Sequence, residues 1–147
     1  EKQKIAVPRG NASVLVKCFQ QEEESEAALA ILRSHLIGLE SIALPVLASY
    51  EVTNALWYSR RLTPEAIEKA LVSLFDFRPI WVPPDVVLLE ETLRMTKDLS
   101  LSVYDASYVA LARRFDCPLV TADMKLAQRA SKLISIHSLG HSSSGPA

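Results

Sequence analysis

Glycine is scarce in this 147-residue chain, with four in all, and cysteine scarcer still, with two. The glycines form no G-x-G-x-x-G or G-x-x-x-x-G-K-[ST] run, so no phosphate-cradling loop is present and nucleotide-driven functions are set aside. Cys18 and Cys117 match no zinc or redox spacing, and neither a G-x-S-x-G elbow nor a neighbouring Cys–His pair accompanies them. Both therefore read as small buried apolar residues. His35, His137 and His141 also lack a ligand spacing; His35 reads as structural, near a helix C-terminus where a cation is favourable. An excess of either charge is missing too, the formal net charge being −1. That argues against a protein that coats nucleic acid, yet leaves room for an enzyme gripping one substrate locally. No apolar run approaches the ~20 residues of a membrane span. The stretch EKQKIAV lacks the apolar region of a signal peptide, so a cytoplasmic address is the expectation.

What is present is enough apolar sequence, 49% against 22% charged, to build a sizeable core. One domain over residues 1–140 is expected, with a flexible Ser/Gly/Pro-rich tail over 141–147. A first strand is predicted from Ile5, ending near Asn11, although Pro8-Arg9-Gly10 suits an edge or a bulge better than a central strand. Ser25 caps a predicted helix to about Ile37, stopped by Gly38. Ser41 to Leu44 reads as a strand and Val46 to Arg60 as a helix. Thr63-Pro64-Glu65 starts another, with Ala66, Ile67, Ala70, Leu71, Leu74 and Phe75 on one stripe. Arg78 to Val82 reads as a strand. Helices follow from Asp85 to about Leu99 and from Val103 to Phe115, then a strand over Pro118–Thr121. A helix over Asp123–Ala130 and a strand over Ile134–Ile136 complete the pattern. Strands alternating with helices predict an α/β sandwich on a parallel sheet.

Three acids stand out at the helix starts and faces of this pattern: Glu51 in SYEVTNALWYS, Asp105 in LSVYDASYVALA and Asp123 in LVTADMKL. Asn11, an amide, occupies the position where a fourth would be expected. Carboxylates gathered from distant segments repel one another, and a fold that gathers them usually does so to hold a hard cation. Each acid also has a plain alternative. Asp105 could complete a capping box with Ser102, Asp123 could cap the following helix, and Glu51 could be an exposed helical carboxylate. Basic pairs at Arg60–Arg61 and Arg113–Arg114, with Lys125 and Arg129, could form a patch or lie on solvated helix faces.

The segments NASVLVK, EVTNALW, SVYDASYVALA and LVTAD, in this order, resemble the PIN-domain nucleases, and specifically the VapC-type toxins of prokaryotic toxin–antitoxin pairs. The resemblance runs from Ile5 to about Ala130. It implies a three-layer α/β/α sandwich around a central, mainly parallel sheet of about five strands, in which acidic residues bind Mg²⁺ or Mn²⁺ to hydrolyse RNA. Glu51, Asp105 and Asp123 match the second, third and fourth acids, as catalytic and metal-binding residues. Thr121 matches the hydroxyl residue before the last acid, and Ser13 the small polar residue two after the first. With Asn54 they would position ligands or phosphate, and Lys125 would hold the RNA backbone. The chain departs from the pattern at Asn11, where Asp is expected; an amide oxygen can coordinate a hard cation but brings no charge. The resemblance further implies a cognate VapB-type antitoxin and a homodimer. Two functions compete: an endoribonuclease toxin, and a catalytically weakened scaffold that binds antitoxin or RNA.

Overall fold

Residues 4–8 and 25–139 are described by the computed structural model of the chain. In order they form β1 (Lys4–Pro8), α1 (Ser25–Leu36), β2 (Glu40–Pro45), α2 (Leu47–Tyr58), α3 (Pro64–Asp76) and β3 (Ile80–Val82). Then come α4 (Val86–Leu99), α5 (Val103–Arg114), β4 (Leu119–Thr121), α6 (Met124–Ala130) and β5 (Ile136–Ser138). Asn11, Ser13, Cys18 and the tail from residue 141 lie outside the described residues. Among the described residues, no helix is long and apolar enough to cross a membrane.

Helix boundaries follow the capping chemistry of the sequence. Thr63 Oγ1 accepts from the Ala66 amide at 3.2 Å, Asp85 Oδ1 from Leu88 at 2.7 Å, and Ser102 Oγ from Asp105 at 3.0 Å. Each satisfies one of the donors a helix start leaves open. Gly38 ends α1 at a φ of 77°, a conformation that L side chains disfavour. His35, in the last turn of α1, does more than complement a helix end. Its Nδ1 accepts from the Ile42 amide at 3.0 Å, which leaves the proton on Nε2 for donation to the Phe77 carbonyl at 2.8 Å. One imidazole thus pins α1 to β2 and to the end of α3.

The five strands are all parallel, in the order β3-β2-β1-β4-β5. β1 is therefore central, which corrects the expectation of an edge or bulge drawn from Pro8. The reason lies in the register. Pairing with β2 covers Lys4 to Ala6 and pairing with β4 covers Val7 and Pro8, so among the described residues proline pairs with one neighbour only. The last strand sits two residues later than predicted, because a turn occupies 131–134.

Alternation along β1 and β4 divides their side chains between two clusters, while Ile42, Ala43 and Leu44 of β2 all join the larger one. Val7, Ile42 and Leu119 belong to the larger cluster, with Val52 and Leu56 of α2, Leu74 of α3, Met95 of α4 and Val109 and Leu111 of α5. Ala6 and Val120 belong to a smaller one with Leu139, Ile31 of α1 and Ala122. These are the layers of an α/β/α sandwich. α5 lies deepest among its helices, packing on β1, β2, β4 and α4. Ala106, Ala110 and Ala112 on it are fully buried, their small side chains letting the helix approach closely. At its far end Arg114 forms a bidentate pair with Asp85, at 2.7 and 2.8 Å, and Arg113 meets Glu91 at 3.2 Å. These arginines tie α5 to α4 while remaining exposed on the helix face.

Candidate functional site

In an open parallel sheet, chains on either side of the strand where the order reverses diverge and leave a crevice at the carboxyl edge. Here the connections run outward from β1 through β2 to β3, then return to β4 and β5 on the other side. The reversal falls between β1 and β4. The three acids reach this edge by separate routes. Asp123 follows β4 by two residues; Glu51 lies in the second turn of α2, which leaves the carboxyl end of β2; Asp105 lies in the first turn of α5, at the end opposite to its junction with β4.

Each is held by local chemistry. Thr121, fully buried at the end of β4, accepts from the Asp123 amide at 3.0 Å and fixes the turn that presents it. Asp123 Oδ1 in turn caps α6, accepting from the Leu126 amide at 3.0 Å. Asp105 is partly exposed, and its amide is the one that Ser102 caps. The helix cap weighed for Asp123, and the Ser102 half of the capping box weighed for Asp105, are thus present in the structure. Glu51 is half-buried and accepts a short hydrogen bond, 2.5 Å, from the hydroxyl of Tyr108. That contact joins α2 to α5 across 57 positions of sequence.

The structure thus brings Glu51 to the helix that carries Asp105. Among the described residues, no three His, Cys, Asp or Glu side chains gather closely enough to hold a metal ion as a group. The acids stand on separate elements at the carboxyl side of the sheet, and Asn11 lies outside the described residues. Their donors suit a hard divalent cation, being carboxylate oxygens with a buried threonine and a tyrosine hydroxyl behind them. Asn54, one turn beyond Glu51, and Lys125, in the first turn of α6, are exposed. Arg129 is drawn to the Ser100 carbonyl.

Sequence reasoning missed Tyr108. Its signal was a tyrosine in the otherwise aliphatic YVALA, because a buried phenol needs a partner for its hydroxyl. A cavity of about 770 Å³ lies elsewhere, at the amino edge of β4, between Cys117–Pro118 and Ser131–Ile136; none of the acids lines it. Burial, helped by Asp116, pushes the Cys117 thiol up to about 11. It carries no thiolate near neutral pH and is no nucleophile.

The five-stranded parallel sheet, with acids on three elements at its carboxyl side, defines a class. A family model described as PIN domain matches residues 11–132. Ribonuclease VapC3 of Pyrobaculum aerophilum is 31% identical over 128 residues, covering 84% of this chain and 95% of that one. Ribonuclease VapC9 of Mycobacterium tuberculosis is 35% identical over 114 residues, covering 71% and 86%. A toxin–antitoxin complex from Klebsiella pneumoniae shares the fold, with a TM-score of 0.68 at 13% identity over 92% of this chain and 98% of its own. The chain belongs to the PIN-domain family, among its VapC-type members.

Proposed function

We propose that this chain is a metal-dependent endoribonuclease, the toxin of a toxin–antitoxin pair, hydrolysing RNA phosphodiesters at the β1/β4 crevice. The observation that carries this reading is the placement of Glu51, Asp105 and Asp123 on three elements around one carboxyl edge. Relatives named as ribonucleases support the reaction class, and a structural neighbour titled a toxin–antitoxin complex supports an antitoxin partner of the VapB type.

Asp105 and Asp123 would hold Mg²⁺ or Mn²⁺, and Glu51 would serve as a further ligand or orient the attacking water. A divalent cation bound there supplies Lewis acidity and neutralises charge that develops on the phosphate. The chain's own groups do the rest. Thr121 holds the turn that aims Asp123, and Lys125 is available to the RNA backbone.

The test is cleavage of RNA by the purified chain with added Mn²⁺ or Mg²⁺. Cleavage is expected to vanish with chelator and with Asp105→Asn. Turnover that survives both changes would overturn the metal mechanism. Asn11 favours a second reading, a weakened scaffold that binds antitoxin or RNA with little turnover, because an amide replaces one formal charge. Under it Asn11→Asp raises Mn²⁺-dependent cleavage. An unchanged rate removes Asn11 from the cation site.

A further inference from the structure

Tyr108 stands three positions after Asp105 on α5, a spacing that puts both on one side of the helix. Its ring is held among core side chains and is only 3% exposed, while its hydroxyl reaches out of the core to Glu51 Oε1. Glu51 arrives on a different helix, anchored by Val52 and Leu56, both with no exposed surface. The carboxylate itself is at the tip of a side chain with three rotatable bonds, which neither anchor restrains.

We propose that Tyr108 is a positioning residue for the cation site: its hydroxyl holds the Glu51 carboxylate in the orientation that serves the divalent ion. The inference rests on the reading that Glu51 takes part in that site. The bond engages one carboxylate oxygen and runs between side chains of two different helices. A rigid, buried donor behind a mobile carboxylate is the arrangement by which supporting groups orient metal ligands, and its loss typically costs about 10–100-fold in metal affinity or activity. Because the ring is locked in α5, the same bond fixes the separation of Glu51 from the helix that carries Asp105.

The experiment measures Mn²⁺ binding to the full chain, by calorimetry and by the EPR signal of free Mn²⁺, alongside thermal unfolding. Tyr108→Phe removes one oxygen from a ring that keeps its packing. It is expected to weaken Mn²⁺ binding at least about tenfold, and its RNA cleavage should recover as Mn²⁺ is raised. Glu51→Gln should weaken binding at least as much, and adding Tyr108→Phe to it should change nothing further. Glu51→Asp, which shortens the carboxylate away from the hydroxyl but keeps its charge, should match Tyr108→Phe and serves as the probe if the phenylalanine variant does not fold. A loss in Glu51→Gln with none in Tyr108→Phe or Glu51→Asp overturns the positioning role and leaves the cation site standing. No loss in Glu51→Gln overturns both. An equal loss from Tyr108→Phe in either background shows that the tyrosine acts on something other than Glu51 and overturns the proposal.

Discussion

Replacing His35 with leucine removes two hydrogen bonds from one place while keeping an apolar body against Phe77, whose ring lies 4.4 Å away. The larger cost falls on Ile42. Its side chain has no exposed surface, and its amide loses the acceptor that Nδ1 provides. Leaving such a donor unpaired costs about 1–3 kcal/mol. The Phe77 carbonyl, in a partly exposed turn, can turn to water, so losing Nε2 there adds only about 0.5–1 kcal/mol. A total of about 1.5–4 kcal/mol follows, which at about 3 °C per kcal/mol for a domain of this size lowers the melting temperature by roughly 5–12 °C. Urea unfolding followed by circular dichroism measures the first quantity, and hydrogen exchange at the Ile42 amide locates it. Asparagine and glutamine divide the effect. Asparagine places an acceptor near Nδ1 and should keep most of the stability, whereas glutamine reaches towards Phe77 and should keep less. A leucine variant that loses under about 0.5 kcal/mol, with Ile42 exchange unchanged, would refute the idea that His35 pins three elements.

The Arg114 guanidinium, bonded to Asp85 through both its oxygens, holds that carboxyl down at about 2 from an ordinary 3.8. A depressed carboxylate stabilises the fold fully above the ordinary value and loses that contribution as pH falls towards the depressed one. Acid unfolding of Asp85→Asn, which keeps a cap but no charge, should therefore differ from the parent above pH 3.8 and converge with it near pH 2; a constant difference across that window would contradict the pairing. Thr121→Val is expected to cost about 1–2 kcal/mol in chemical denaturation by leaving the Asp123 amide without its acceptor, and Thr121→Ser far less. Equal behaviour of valine and serine would mean that packing, rather than the hydroxyl, sets the turn.

Much of the fold was legible because it is written in local chemistry. Thr63, Asp85 and Ser102 mark helix starts by what their side chains can accept, and Gly38 marks a stop by the φ it permits. What escaped was decided between elements. Pro8 speaks against a central strand only if it falls where both neighbours pair, and the register that spares it is a property of three strands together. Phe75 continues the apolar stripe of α3, yet 56% of it is exposed, where it stacks on Trp81 at 5.1 Å. The site divides in the same way. Glu51, Asp105 and Asp123 could be picked out from their segments, and the capping roles of Asp123 and Ser102 from their spacing. The tyrosine that ties Glu51 to α5 could not be assigned a partner, since nothing local names a residue 57 positions away.

The strand order also sets when the crevice can exist. β1 precedes the strand on its other side, β4, by more than a hundred positions. During synthesis β1 can pair with β2 early, from residues only a few tens of positions apart. Its other edge stays open until Leu119 has emerged. A ribosome-bound chain shorter than that holds Glu51 and Asp105 with no strand to complete the edge beside them. That edge is thus completed in time as well as in space, only once β4 has joined β1.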